Sequence, residues 1–246
     1  MGVKSVLTLT VALLGAIVLA NMISLAVALY RGGALADRSE AFQQRVPNAR
    51  KTLLVIGDST AVGTGAERPE DSVAGRIGSS LPGMAIVNLA ENGAKTHELM
   101  AQLRAAPDAS YDAVLIQVGG NDVLRFTGIT ELRKSATALL SAAKAKAPYV
   151  AMMSSGDVGA APAFLKPVDW VYSWRTRRVR SLFLELAARD AIDYVDLYDP
   201  SDDNPFYRHP DRYYAPDGLH PSAEGYRLWF EQLVKQSSIR AYLMAR

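Results

Sequence analysis

Five short, mostly apolar runs, spaced along the chain from residue 51 onward, restrict most what it can fold into. They are KTLLVIG at 51–57, MAIVNL at 84–89, AVLIQV at 113–118, YVAMM at 149–153 and IDYVDL at 192–197. Short apolar runs of this kind are the pattern of strands buried on both faces of a parallel sheet. Between them apolar residues fall near helical spacing, over 69–81, 96–106, 130–147, 170–190 and 222–242. The segment 96–106 opens on Thr96 as a candidate cap. The segment 130–147 opens on Thr130, carries Glu131 in its first turn and Lys144 and Lys146 in its last, and stops before Pro148. That placement follows the capping and helix-dipole rules. Strands alternating with helices predict a doubly wound α/β fold, a three-layer α/β/α (flavodoxin-like) arrangement around a five-stranded parallel sheet. Ligands in such sheets bind beyond the carboxyl ends of the strands. Two long irregular stretches, 154–169 and 199–221, are expected to overhang that end.

The chain ahead of the first run is of another kind. Residues 5–30 hold no charge, an uninterrupted 26 positions between Lys4 and Arg31. As a helix they would reach about 39 Å at ~1.5 Å per residue, while a bilayer's hydrocarbon core is ~30 Å thick. The run also exceeds the apolar core of a signal peptide, about 7–15 residues. Segment 1–30 therefore reads as a single transmembrane anchor and 51–246 as the folded domain. Segment 31–50, polar and carrying Gly32-Gly33 and Pro47, reads as a linker. A cleaved signal is the rival, with Ala34-Leu35-Ala36 as a small-x-small site, and a buried core helix is a third reading. Lys4 and the amino terminus favour an N-terminus inside, which puts the domain outside the cytoplasm. Arg31, Arg38, Arg45, Arg50 and Lys51 follow the span and pull the other way under the positive-inside rule, which a long folded domain can override.

Composition narrows the chemistry. The formal net charge is +2 and no block of like charges stands out, so nucleic acid is not an expected partner. The absence of cysteine excludes disulfides, a thiolate nucleophile and a Cys-held metal. Three histidines occur, His97, His209 and His220, too few for a histidine-rich metal site. No metal or cofactor is expected.

The chemically promising residues fall at predicted strand ends or in the last long loop. The first strand runs into Gly57-Asp58-Ser59, the second into Asn92-Gly93, the third into Gly119-Gly120-Asn121-Asp122, and near the C-terminus comes Asp217-Gly218-Leu219-His220. This order resembles the SGNH/GDSL hydrolase family, named for Ser, Gly, Asn and His in successive blocks, over roughly 51–246. Rival motifs fail. The Gly-x-Ser-x-Gly elbow of ordinary α/β-hydrolases is absent, Gly63-Thr64-Gly65 lacks the third glycine of a dinucleotide loop, and no Walker lysine follows a glycine-rich turn.

A serine hydroxyl is a poor nucleophile unless a base takes its proton. His220 is the one histidine with an acid three positions before it in a loop. Asp217 can turn back to its Nδ1 and leave Nε2 facing Ser59. His209 is the rival base, with only Asp202 or Asp203 further upstream. The resemblance implies Ser59, His220 and Asp217 as a catalytic triad. It also implies an oxyanion hole made of the Ser59 and Gly93 backbone N–H groups and the Asn121 amide. The activity it implies is hydrolysis of acyl esters (lipid, short-chain or O-acetyl carbohydrate) through an acyl-serine intermediate. An acyltransferase with the same triad and a non-catalytic membrane-anchored binding protein are the alternatives. Plain structural roles are also open: Ser59 as a helix cap, Asn121 and Asp217 as turn residues, Asp58 and Asp122 as bonders of loop backbone. Trp170, Tyr172 and Trp174 are candidates for the acyl pocket or the core, and Arg175, Arg177, Arg178 and Arg180 for a solvated helix face.

Overall fold

The computed structural model describes residues 2–245. Each of the five apolar runs forms a strand: β1 (Thr52–Gly57), β2 (Ala85–Asn88), β3 (Ala113–Gln117), β4 (Tyr149–Met153) and β5 (Asp193–Val195). They pair in parallel in the order β2-β1-β3-β4-β5, with Leu54 opposite Val87 on one side and Val114 on the other. The helices are α1 (Val3–Ala36), α2 (Ser59–Val62), α3 (Val73–Ser80), α4 (Leu99–Ala105), α5 (Gly120–Leu124) and α6 (Ile129–Lys146), then α7 (Val168–Asp190), α8 (Pro205–Arg208), α9 (Pro210–Tyr213), α10 (Ala223–Gln236) and α11 (Ile239–Met244).

Side chains alternate across a strand, so the sheet has two buried faces. Leu54, Ile56, Val114, Ile116 and Met152 pack under α4, α6 and α7, against Leu103, Leu139, Leu140 and Phe183. Leu53, Val55, Leu115 and Met153 pack under α3, α10 and α11, against Val73, Ile77, Tyr226 and Leu243. At about 1.5–3 kcal/mol per large apolar side chain removed from water, these faces hold the three expected layers together.

Several helix boundaries differ from expectation; α3, for one, starts at Val73 rather than 69. The helix expected from Thr96 starts at Leu99, because Asp122 takes both the Thr96 N–H (3.0 Å) and its hydroxyl (2.6 Å). Thr130 sits inside the first turn of α6, and Gly128 holds the cap position. The last helix breaks in two: the Ser237 hydroxyl donates back to the Leu233 carbonyl (2.6 Å), and the Ser238 N–H leaves for Asp193 (2.7 Å). Serine competing for backbone in this way is what makes it a weak helix-interior residue.

Helix α1 runs 34 residues, about 51 Å at the usual rise. It passes through Gly32-Gly33, so the first six positions of the stretch read as a linker, 31–36, are helical. Further on, Gln44 makes an isolated antiparallel bridge with Ile86. The helix is long and apolar enough to cross a membrane. Its first part stands clear of the domain, and Leu7, Val11, Leu14 and Val18 are all exposed. From Asn21 it docks. Asn21, Ala28 and Gly32 are buried, with Ser24 and Leu25 half-buried between them, a stripe at helical spacing. The Leu165 N–H donates to Asn21 Oδ1 (2.9 Å), Ser24 Oγ donates to the Ala163 carbonyl (2.9 Å), and Arg31 donates to the Pro216 carbonyl (3.3 Å).

Candidate active site

The order of the strands reverses between β1 and β3, and sheets of this kind open a crevice at that point. Both strands end in the blocks picked out in the sequence. After β1, Asp58 caps α2: its Oδ1 accepts from the Thr60 N–H (2.9 Å) and the Thr60 hydroxyl (2.7 Å). The capping role open to Ser59 is thus filled by its neighbour. Ser59 is the first residue of α2, where the backbone N–H has no partner within the helix. Its Oγ lies 2.8 Å from His220 Nε2. His220 Nδ1 lies 2.5 Å from Asp217 Oδ2. Asp217 Oδ1 accepts from the N–H groups of Leu219 (3.0 Å) and His220 (3.0 Å). Gly218, at φ +67°, makes this tight return possible, since that region favours glycine.

Electrostatics divides the two aspartates. Burial pushes Asp217 up, but the hydrogen bond and charge of His220 and the two backbone N–H groups outweigh it and hold its carboxyl below the usual range. Asp58 is also buried, and burial pushes its carboxyl up to about 6 against the pull of the Thr60 bonds.

Ser59 and His220 line a cavity of about 350 Å³ with Gly93 and Asn121. Asp122 gathers that wall by tying the Thr96 loop to α5. Gly93 sits at φ +79°, and a Cβ there would lie 3.3 Å from the Arg125 guanidinium. The Asn121 side-chain amide donates to the Ala94 carbonyl (3.2 Å). The two irregular stretches do overhang the sheet end, contributing Ser155, Asp157 and Val158 from one and Phe206, Tyr214 and Leu219 from the other.

Some expectations fail. None of Trp170, Tyr172 and Trp174 lines the cavity: Trp170 and Trp174 are 62% and 47% exposed, beneath Lys166 and Arg178, while Tyr172 packs on Phe164 against the core, the second of the two readings open to it. Arg175, grouped with a solvated face, is buried and donates to the Thr127 carbonyl. Arg180 pairs with Asp196. His97 and His209 are exposed and outside the cavity. Among the described residues, no group of three or more His, Asp or Glu side chains is placed to hold a metal ion. The wall that sequence reasoning missed is the end of α1, where Leu29, Gly32, Gly33 and Ala36 reach the cavity. Its signal was the run of small and polar residues Asn21, Ser24, Ala28 and Gly32 inside a helix otherwise rich in Leu, Val and Ile.

Residues 55–228 match the model of the GDSL-like lipase/acylhydrolase family. No curated protein matches the chain. Among solved structures, a lipase/acylhydrolase from Enterococcus faecalis shares 21% identity, with 78% of this chain and 96% of that one covered and a TM-score of 0.59. A lipolytic G-D-S-L family protein from Veillonella parvula shares 19%, with 75% and 96% covered and a TM-score of 0.59. An acetylxylan esterase from Geobacillus stearothermophilus shares 19%, with 80% and 96% covered and a TM-score of 0.56. At these identities the likeness is one of fold, and it agrees with the sheet described above. The family match spans most of the chain and takes in the Ser59, Gly93, Asn121 and His220 blocks, so the chain belongs to the GDSL-like lipase/acylhydrolase family and is a hydrolase of ester bonds.

Proposed function

We propose that the protein is a membrane-anchored serine esterase that cleaves acyl esters through an acyl-Ser59 intermediate. The observation that carries this is the unbroken run of contacts from Ser59 Oγ to His220 Nε2 (2.8 Å) and from His220 Nδ1 to Asp217 Oδ2 (2.5 Å). His220 takes the Ser59 proton as Oγ attacks the ester carbonyl, then gives it to the departing alcohol. Water repeats the sequence: His220 takes one of its protons, the hydroxyl adds to the acyl carbon, and Ser59 leaves with the proton restored. Asp217, ionised, holds the ring so that Nε2 faces the serine. The N–H groups of Ser59 and Gly93 and the Asn121 amide stabilise the oxyanion.

In this reading α1 stays attached as the anchor, 51–246 is the hydrolase domain, and the domain lies outside the cytoplasm, as Lys4 at the N-terminus favours. The substrate is an acyl ester of a lipid. The lipolytic Veillonella protein and the Enterococcus lipase/acylhydrolase share this fold with the acetylxylan esterase, and the apolar residues Leu29, Val158, Phe206 and Leu219 in the cavity wall suit an acyl chain.

A fluorophosphonate probe tests the nucleophile. It should label the wild-type chain at one serine and leave Ser59→Ala unlabelled; equal labelling of both would sink the assignment. Asn121→Ala tests the oxyanion hole. Losing one preorganised donor costs about 10²–10³ in kcat, so kcat for p-nitrophenyl acetate should fall by that factor while KM changes little. A change confined to KM would remove Asn121 from the role.

A further inference from the structure

We infer that the last two turns of α1 form the acyl-chain wall of the active site, so that the membrane helix selects the substrate as well as tethering the enzyme. The inference rests on the reading of Ser59 as nucleophile and of α1 as a retained anchor.

Helix α1 does not merely pass near the domain. Gly32 is buried against the triad: a Cβ there would lie 3.1 Å from Asp217 Oδ2 and 3.6 Å from His220 Cε1. Any larger residue would press on the pair that orients the base. Ala36 accepts a bond from the Asn92 amide (3.4 Å), next to Gly93 in the cavity wall. Leu29, Gly33 and Ala36 also line the cavity and fall at i, i+4 and i+7, a single helix face. Gly33 differs from Gly32 in having nothing within 4 Å of its Cβ position. It is a gap in the wall rather than a tight contact.

The cavity of about 350 Å³ has room for about a dozen water-sized groups at ~30 Å³ each. That accommodates an ester and a medium chain. A longer chain must leave along a wall, and the face carrying Leu29 continues toward the N-terminus as Leu25, Met22 and Val18, all apolar. From Gly32 back to Asn21 this path is about 16 Å at 1.5 Å per residue. At Asn21 the helix leaves the domain, and the residues before it number about the 20 that a bilayer core needs. At that level Leu165 is bonded to Asn21 itself, and Leu165 and the nearby Trp170, Val171 and Trp174 at the start of α7 are from 42% to 62% exposed. Tryptophan at the edge of an apolar surface is the composition of a membrane interface. The ligand that fits is the ester of a lipid whose acyl chain remains in the bilayer and lies along α1, with its carbonyl carried to Ser59.

The test uses the full chain in detergent micelles. The ratio of kcat/KM for p-nitrophenyl decanoate to that for p-nitrophenyl acetate is compared across variants, and fluorophosphonate labelling counts competent sites. Gly33→Leu fills the gap and should lower the ratio about tenfold or more, the effect of losing about two buried methylenes. Leu29→Ala should lower it severalfold in the same direction and decides the matter if Gly33→Leu loses labelling. Gly15→Leu, on the free part of the helix, should leave it unchanged. An unchanged ratio in both wall variants with Ser59 still labelled would overturn the wall alone. Failure of the probe to label Ser59 in the wild type would overturn the catalytic reading, and this inference with it. An intact mass lacking residues 1–36 in protein extracted from its membrane would overturn the retained wall.

Discussion

His220→Ala should lower kcat for p-nitrophenyl acetate by about a million-fold, the scale seen when the base of a serine triad is removed. The reason lies in the two contacts of the ring. Its Nε2 is the atom placed to take the Ser59 proton, at 2.8 Å, and the other histidines, His97 and His209, are exposed and outside the cavity. Without the ring the serine stays protonated at neutral pH, and what remains is catalysis by the oxyanion donors and by binding. In the proposed mechanism Ser59 and His220 act as one unit, so the double variant Ser59→Ala/His220→Ala should be no slower than either single change; a multiplicative loss would mean that the two residues act in separate steps. The fold should survive. Asp217 loses its Nδ1 partner but keeps the N–H groups of Leu219 and of residue 220, so the buried carboxylate is not stranded. The expected cost is about 1–3 kcal/mol of stability, visible as a lower Tm with unchanged circular dichroism. Retained turnover of p-nitrophenyl acetate would show that His220 is not the base.

What the sequence revealed and what it hid follow from the range of the interactions concerned. The strands were legible because burial on both faces leaves a continuous apolar run, as in Leu53 to Ile56, which no distant residue needs to explain. Three of the site blocks were legible because they follow β1, β2 and β3, whose ends a doubly wound sheet brings together, and the fourth because Asp217 and His220 stand three apart in the loop that overhangs those ends. The start of α4 was not, because Thr96 makes an adequate local cap until Asp122, 26 positions away, claims both its donors. Arg175 reads as one more cation in a basic helix; only the packing of α7 on α5 reveals that it is buried. Helix α1 is the plainest case. Its composition speaks of a membrane, and that signal masks a second one at the same positions, the small-residue face through which it docks beside His220. Hydropathy averages over a window and cannot register that Asn21, Ser24, Ala28 and Gly32 share a side.

Asp217→Asn is the sharper probe of the triad, because it changes a proton rather than a shape. In the wild type the carboxylate accepts three hydrogen bonds, two on Oδ1 from backbone N–H groups and one on Oδ2 from the ring. An asparagine keeps the volume and can keep the two backbone bonds by placing its carbonyl oxygen where Oδ1 now lies. Its NH₂ then faces Nδ1, and two donors cannot share one bond. The ring must present a bare Nδ1 and carry its proton on Nε2, the atom that has to accept from Ser59. The serine therefore faces a donor where it needs a base, and kcat should fall about 10⁴-fold, as expected for a wrong tautomer, with KM and Tm little changed. The buried site makes the effect severe: the Asp217 side chain is fully shielded from solvent, so no water can substitute for the lost acceptor. Asp217→Ala removes the acceptor without adding a donor and leaves the ring free to adopt either tautomer. It should disturb stability more than Asp217→Asn and activity no more. An Asp217→Asn enzyme within tenfold of the wild type would mean that Asp217 only shapes the turn, and that the orientation of His220 is set by its neighbours in the loop.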